Sequence, residues 1–83
     1  NTEQVMSINL EKDMVPGSKL LFDLYLHMPK NNKYILYLRE KNQLTTDTFE
    51  KLMKHGIKNV YLRSAQKERF FAYCARNKIL QSA

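Results

Sequence analysis

The side chains that could do acid–base, nucleophilic or metal chemistry are few and widely spaced in this sequence. It has two histidines, His27 and His55, and one cysteine, Cys74. Neither histidine stands at a metal-ligand spacing from Cys74, because the ligands of structural zinc sites come in closely spaced pairs. A catalytic site also needs a nucleophile or an acid–base pair held together. We therefore expect no catalytic residue, no metal ligand, no cofactor and no enzyme activity.

Phosphate binding and thiol chemistry are equally poorly supported. A glycine-rich phosphate loop needs several glycines, and the chain has only Gly17 and Gly56. Cys74 falls in an apolar stripe beside Phe70 and Phe71, where a thiol is expected to be buried and structural. A lone cysteine cannot form an internal disulfide, which fits a reducing compartment. We therefore expect a cytoplasmic location.

Length and composition limit the class of protein further. The chain has 83 residues, of which 43% are hydrophobic and 27% charged, so residues 1–83 are predicted to form a single small domain. No apolar run is long enough to span a membrane, which predicts no membrane insertion. The polar start lacks a methionine, and we expect the chain to be a fragment of a longer protein.

The elements that must position the polar and aromatic side chains begin with a β-hairpin. Apolar residues alternate from Leu20 to Met28 and again from Lys33 to Arg39. Such alternation is typical of strands, and Pro29 with the asparagines that follow it favours a turn. The segment from Val5 to Leu10 alternates in the same way over a shorter length. Residues 1–13 are accordingly a candidate edge strand or a free arm.

Two helices and another strand are predicted after the hairpin. Thr45 is the expected cap of the first helix, and Gly56 is expected to end it in the left-handed conformation. The alternation from Asn59 to Arg63 predicts a strand, and Ser64 is expected to cap the second helix. Its apolar stripe comprises Phe70, Phe71, Cys74, Ala75 and Ile79. Residues 77–83 could continue this helix as a linker to a downstream domain.

The predicted fold class is therefore α+β. A small antiparallel-rich sheet, made of a hairpin, a later strand and one optional N-terminal strand, carries two helices on one face. The residues expected in the core are Phe22, Leu24, Leu26, Leu36, Leu38, Phe49, Leu52, Val60, Leu62, Phe71 and Cys74.

The opposite face of the sheet is the candidate interface. The residues expected there are Tyr25, Ile35, Tyr37 and Tyr61, rimmed by Asp23, Arg39 and Arg63. Tyrosines with arginine at their edge are typical of protein–protein interfaces. The alternative is that the tyrosines only stabilise cross-strand pairs. An exposed strand edge would also permit a homodimer, so a structural dimerisation domain is a further alternative.

Positive charge supports a different class of partner. The formal net charge is +6, and Arg63, Lys67 and Arg69 form a candidate basic patch. Cations beside stacking aromatics are typical of nucleic-acid-binding domains. The strand from Lys33 to Leu38, however, lacks the glycine of the RNA-recognition strand motif. We therefore rank a small basic nucleic-acid-binding domain second, after a protein-interaction module.

A more specific pattern extends from Pro16 to Tyr73, about two-thirds of the chain. It comprises Val15-Pro16-Gly17, Phe22-Asp23-Leu24-Tyr25-Leu26, Lys33-Tyr34, Leu44-Thr45, Leu52, His55-Gly56-Ile57, Val60-Tyr61-Leu62-Arg63 and Phe71-Ala72-Tyr73. This pattern resembles the small α/β accessory domain at the front of bacterial HD-GYP phosphodiesterases and, less often, of PilZ-containing proteins. Both families act in cyclic-di-GMP signalling.

The resemblance implies a non-catalytic regulatory module whose partner is another protein or a downstream domain of the same chain. The catalytic motifs of the HD-GYP family are missing here, since His55 is followed by Gly56 rather than by Asp and no Gly-Tyr-Pro triplet occurs. The spaced arginines and the D/N-x-S-x-x-G segment of PilZ domains are missing as well. Any phosphodiesterase activity is expected to reside in a downstream domain.

Overall fold

A computed structural model describes residues 4–79 of the chain. Within that range an antiparallel sheet is formed by β1 (Val5–Asn9), β2 (Leu24–Met28), β3 (Lys33–Leu38) and β4 (Asn59–Arg63). Their spatial order is β1-β4-β2-β3. The helices are α1 (Leu10–Asp13), α2 (Thr46–Lys54) and α3 (Lys67–Arg76), and a 3₁₀ turn (Ser64–Gln66) precedes α3. The predicted α+β class is confirmed.

The N-terminal segment is a strand of this sheet, at the edge beside β4. Ile8 pairs with Val60, and the strand stops at Asn9 because this residue caps α1. The Asn9 side chain accepts a hydrogen bond of 2.8 Å from the Lys12 backbone N–H, while the Asp13 carboxylate accepts one of 2.9 Å from the Asn9 N–H. Leu10, expected at the end of a strand, therefore begins a helix. Residues 1–3 of the candidate arm lie outside the described range.

The first strand of the hairpin is shorter than its alternating sequence predicts. Residues 20–23 lie outside β2, and residues 18–20 instead bond to residues 41–44. The Leu20 N–H donates to the Asn42 carbonyl at 2.9 Å, and the Leu44 N–H donates to the Ser18 carbonyl at 2.8 Å. Leu20 and Phe22 are nevertheless completely buried. The alternation thus predicted which side chains are buried better than it predicted the backbone.

The register of the hairpin differs from the expected one. Met28 pairs with Lys33 across a loop of residues 29–32, and Leu26 pairs with Ile35. Paired residues share a face of the sheet, so even-numbered positions of β2 share a face with odd-numbered positions of β3. Leu36 therefore lies on the face opposite the core, and its predicted core position is wrong. A bulge beside Leu24 returns Leu38 to the core.

The core lies between one face of the sheet and the helices. Its buried apolar residues are Ile8, Leu10, Met14, Leu20, Phe22, Leu24, Leu44, Leu52, Val60, Leu62, Phe70, Tyr73 and Cys74. The Phe22 ring meets the edges of Phe70 and Tyr73, with centroids 5.5 Å apart in both pairs. Of the other predicted core residues, Leu26 and Phe49 are partly buried against this cluster.

Phe71 is the clearest error in the predicted core, since 47% of its surface is exposed. Helical spacing from Phe70 selects Tyr73 and Cys74, and Phe71 points about 100° away from that stripe. Ala75, also assigned to the stripe, is exposed. Tyr73, which the sequence analysis left out, is completely buried.

Local capping signals explain how the two longer helices begin and end. Thr45 Oγ1 accepts a hydrogen bond of 3.1 Å from the Thr48 N–H, and Gly56 ends α2 with φ +78°, so both predictions for this helix are confirmed. The predicted Ser64 cap is wrong, because Ser64 opens the 3₁₀ turn and Gln66 precedes α3.

The expected continuation of α3 beyond residue 76 does not occur over residues 77–79. Lys78 adopts φ +59°, and the Ile79 N–H donates to the Cys74 carbonyl at 2.9 Å, which is the Schellman end of a helix. The rest of the predicted linker lies outside the described residues. No helix between residues 4 and 79 is long and apolar enough to cross a membrane.

Candidate functional site

Strand pairing gathers aromatic side chains on the sheet face opposite the core. His27 pairs with Tyr34, and Tyr25 pairs with Tyr61. The rings of His27, Tyr34 and Tyr61 form a ring cluster, with centroids 4.9 Å apart for His27–Tyr34, 5.1 Å for Tyr34–Tyr61 and 5.9 Å for His27–Tyr61. These distances are within the range of favourable aromatic contacts. We call the surface made by the ring cluster, Tyr25 and Leu36 the aromatic face.

The aromatic face is accessible in the part of the chain that the structure describes. Tyr34 is 41% exposed, and Tyr25, His27 and Tyr61 are half-buried. On the other face of the same strands, Val60 and Leu62 are completely buried against the helices. The sheet therefore has one closed apolar face and one open aromatic face.

Only some of the predicted interface residues belong to the aromatic face. Tyr25 and Tyr61 are brought together there as expected. Ile35 is on the other face as the partner of Leu26, and Tyr37 is skipped by the pairing at the bulge. Both nevertheless remain exposed, by 48% and 39%. Because the four-residue loop sets the parity of pairing, counting its residues could have identified Tyr34 in place of Ile35.

His27 is a member of the site that was not among the predicted interface residues. Its Nε2 donates a hydrogen bond of 2.9 Å to Asn32 Oδ1 in the hairpin loop, which fixes the ring against Tyr34. The other histidine, His55, bonds through Nδ1 to the Lys51 carbonyl at 2.8 Å. Among the described residues, no three His, Cys, Asp or Glu side chains are close enough to hold a metal ion.

An ionic network lies where β4 meets the 3₁₀ turn. Arg63 Nη2 is 3.6 Å from Asp23 Oδ2, and Asp23 Oδ1 accepts a hydrogen bond of 2.8 Å from the Glu40 N–H. Glu40 in turn forms an ion pair with Arg69, and the Gln66 side chain accepts from the Asp23 N–H at 2.8 Å. These contacts tie the start of α3 to the loops before β2 and after β3.

The same network bears on the predicted basic patch. Arg63 and Arg69 each face a carboxylate, so their positive charge is partly compensated. Lys67 is exposed in the first turn of α3, and Arg39, the other predicted rim residue, is exposed after β3. The patch therefore carries less positive potential than its sequence suggests.

A second polar arrangement is buried beneath α3. The Tyr73 hydroxyl accepts a hydrogen bond of 2.9 Å from the Val15 N–H and lies 2.5 Å from Ser18 Oγ. Burial raises the pKa of the Tyr73 phenol, although its bonds to Ser18 and Val15 act in the opposite direction. Because this hydroxyl is enclosed and holds a loop in place, we assign it a structural role.

Known proteins give no relative from which a function could be transferred. Comparison with protein-family models, curated proteins and solved structures found no significant match to the chain. The resemblance to accessory domains of cyclic-di-GMP signalling proteins therefore remains a hypothesis supported by the residues quoted above. The aromatic face is the feature of the described structure best suited to binding.

Proposed function

We propose that this chain is a non-catalytic regulatory or protein-interaction module of a bacterial signalling protein of the cyclic-di-GMP type, acting in the cytoplasm. The observation that supports this proposal is the ring cluster of His27, Tyr34 and Tyr61 on an open sheet face. Tyrosine is favoured in protein interfaces because it offers a large contact area and loses little conformational entropy.

The core does not depend on the exposed rings, which favours a binding role for them. Phe22, Phe70 and Tyr73 pack together on the opposite side of the sheet. Tyr34 lies on an outer strand with 41% of its surface exposed, so it buries less apolar surface than these residues do. The partner we propose is a protein, either separate or a downstream domain of the same parent chain.

The test compares binding and stability in one double variant. We expect Tyr34→Ser with Tyr61→Ser to weaken association with the domain that follows in the parent protein, added in trans, by about tenfold or more. Calorimetry measures this affinity, and thermal unfolding measures stability. Tyr37→Ser is the matched control, since Tyr37 is exposed to a similar degree but lies outside the ring cluster. If the double variant keeps its affinity but loses much of its stability, the ring cluster has a structural role and the proposed binding role is wrong.

Nucleic-acid binding is the second candidate, because exposed rings on a sheet can stack on bases and the net charge is +6. The carboxylates beside Arg63 and Arg69 count against it. The salt dependence of oligonucleotide binding separates the two functions.

A further inference from the structure

The strand β3 has one edge that no described strand covers. It is the last strand in the order β1-β4-β2-β3 and pairs only with β2. No backbone hydrogen bond from a loop of residues 4–79 reaches residues 33–38 either. An open edge presents N–H and C=O groups to which another extended chain can bond.

The side chains of β3 leave this edge unusually unprotected. The strand reads KYILYL, and none of its residues is buried. Tyr34, Ile35 and Tyr37 are 41%, 48% and 39% exposed. Soluble proteins usually block such an edge with inward-pointing charges or proline, whereas the only charge within β3 is Lys33 at its first position. These features are those of a strand-addition site.

The charges around the edge indicate which occupant fits. Residues 28–41 contain four exposed cations, Lys30, Lys33, Arg39 and Lys41. The acid in this segment, Glu40, already faces Arg69. A second copy pairing symmetrically about Leu36 would place its Arg39 opposite Lys33, and like charges directly opposite each other are destabilising. Charge complementarity therefore favours an acidic segment over a second copy.

We propose that the outer edge of β3 binds an extended acidic segment of a partner protein as a fifth strand of the sheet. Its backbone would pair with β3, and its side chains would extend the surface of Tyr34 on one face of the sheet and that of Ile35 on the other. Its acidic residues would face Lys33 and Arg39 at the two ends. This inference rests on the proposed protein-interaction function and specifies the chemistry of the partner.

Synthetic peptides test the proposal directly on the 83-residue chain. The probe is a short peptide in which Val alternates with Thr between pairs of Glu. One control peptide replaces each Glu with Lys, and a second keeps every side chain but has an N-methyl group on every backbone amide between the Glu pairs. We expect the acidic peptide to bind, with protection of β3 amides in hydrogen exchange. The basic peptide should bind at least about tenfold more weakly, and the N-methylated peptide, which has no backbone N–H between its Glu pairs to donate from either edge, should not bind.

A charge-reversed protein provides the reciprocal test. We expect the double variant Lys33→Glu with Arg39→Glu to bind the basic peptide more tightly than the acidic peptide. Lys51→Glu with Lys54→Glu is the matched control, because it makes the same change of net charge on α2 and should keep the preference of the unmodified chain. Thermal unfolding establishes that both variants are folded.

Three results would overturn the proposal. Equal binding of the acidic and N-methylated peptides would exclude strand pairing. Sedimentation equilibrium that detects a dimer without peptide, together with hydrogen exchange that finds the β3 amides protected in that dimer, would assign the edge to a second copy. A single-stranded oligonucleotide that protects β3 amides better than the peptide would assign it to nucleic acid. The peptide assay needs no downstream domain, so a negative result in it does not affect the test of the ring cluster. Likewise, a negative result in the test of the ring cluster does not affect the peptide assay.

Discussion

At the scale of single residues, the Tyr73 hydroxyl connects α3 to the loop before β2. It accepts from the Val15 N–H, and Ser18 Oγ lies 2.5 Å from it. Replacing Tyr73 with Phe keeps the ring in contact with Phe22 but leaves the Val15 N–H without its partner. We expect Tyr73→Phe to lower the free energy of unfolding by about 1–3 kcal/mol in urea titrations. Phe71→Leu, in the same helix but exposed, should change that free energy by less than about 1 kcal/mol.

The same residue predicts how stability depends on pH. Burial raises the pKa of Tyr73 above its ordinary value of 10.0, so the folded state holds this proton more tightly than the unfolded chain does. The contribution of the Tyr73 phenol to the free energy of unfolding is constant below pH 10.0 and is lost as the pH rises from there through the folded-state pKa. In urea titrations at a series of alkaline pH values, the free energy of unfolding of the unmodified protein should fall toward that of the Tyr73→Phe variant. A constant difference between the two proteins across this range would contradict the prediction.

At the scale of elements, the two ends of α2 were predictable from sequence and the register of the hairpin was not. Thr45 and Gly56 act within one turn of α2, so their residue types were sufficient to locate its ends. The faces of Ile35 and Leu36 depend on the number of loop residues, and the face of Leu38 depends on a bulge. The candidate site was predicted in part, since Tyr25, His27 and Tyr61 share a face whatever the hairpin register, whereas Tyr34 joins them only in the observed one.

Packing between elements gives a prediction about stability. Phe22 precedes β2 but meets Phe70 and Tyr73 of α3, and it is completely buried. Phe22→Ala should lower the free energy of unfolding by about 3–5 kcal/mol, because it removes apolar contacts and leaves a cavity. Ile35→Ala on the exposed side of the hairpin is the control and should cost less than about 1 kcal/mol. Similar losses in urea titrations of the two variants would contradict the described core.

At the scale of the whole molecule, the proposed function predicts that the domain neither binds cyclic-di-GMP tightly nor hydrolyses it. The arginine pattern that recognises this nucleotide in PilZ domains is missing from the sequence, as is the metal-binding HD pair. Calorimetry should therefore detect no binding at micromolar nucleotide, and chromatography should detect no hydrolysis product. A PilZ domain and an HD-GYP phosphodiesterase serve as the positive controls for binding and hydrolysis. Micromolar affinity in the 83-residue chain would contradict this prediction.

The net charge of +6 also predicts a limited affinity for nucleic acid. Binding to phosphates weakens steeply with salt, because each cation–phosphate contact releases a counterion. Arg63 and Arg69 already face Asp23 and Glu40, so fewer cations remain for phosphates than the sequence suggests. We expect fluorescence anisotropy with a single-stranded oligonucleotide to show weak binding at low salt that disappears at about 0.15 M.

The double variant Arg63→Glu with Lys67→Glu should abolish even this weak binding, and Tyr37→Ser should leave it unchanged. Tight binding near ~0.15 M salt, lost in Tyr34→Ser with Tyr61→Ser, would instead make the ring cluster a base-stacking surface and nucleic-acid binding the leading function.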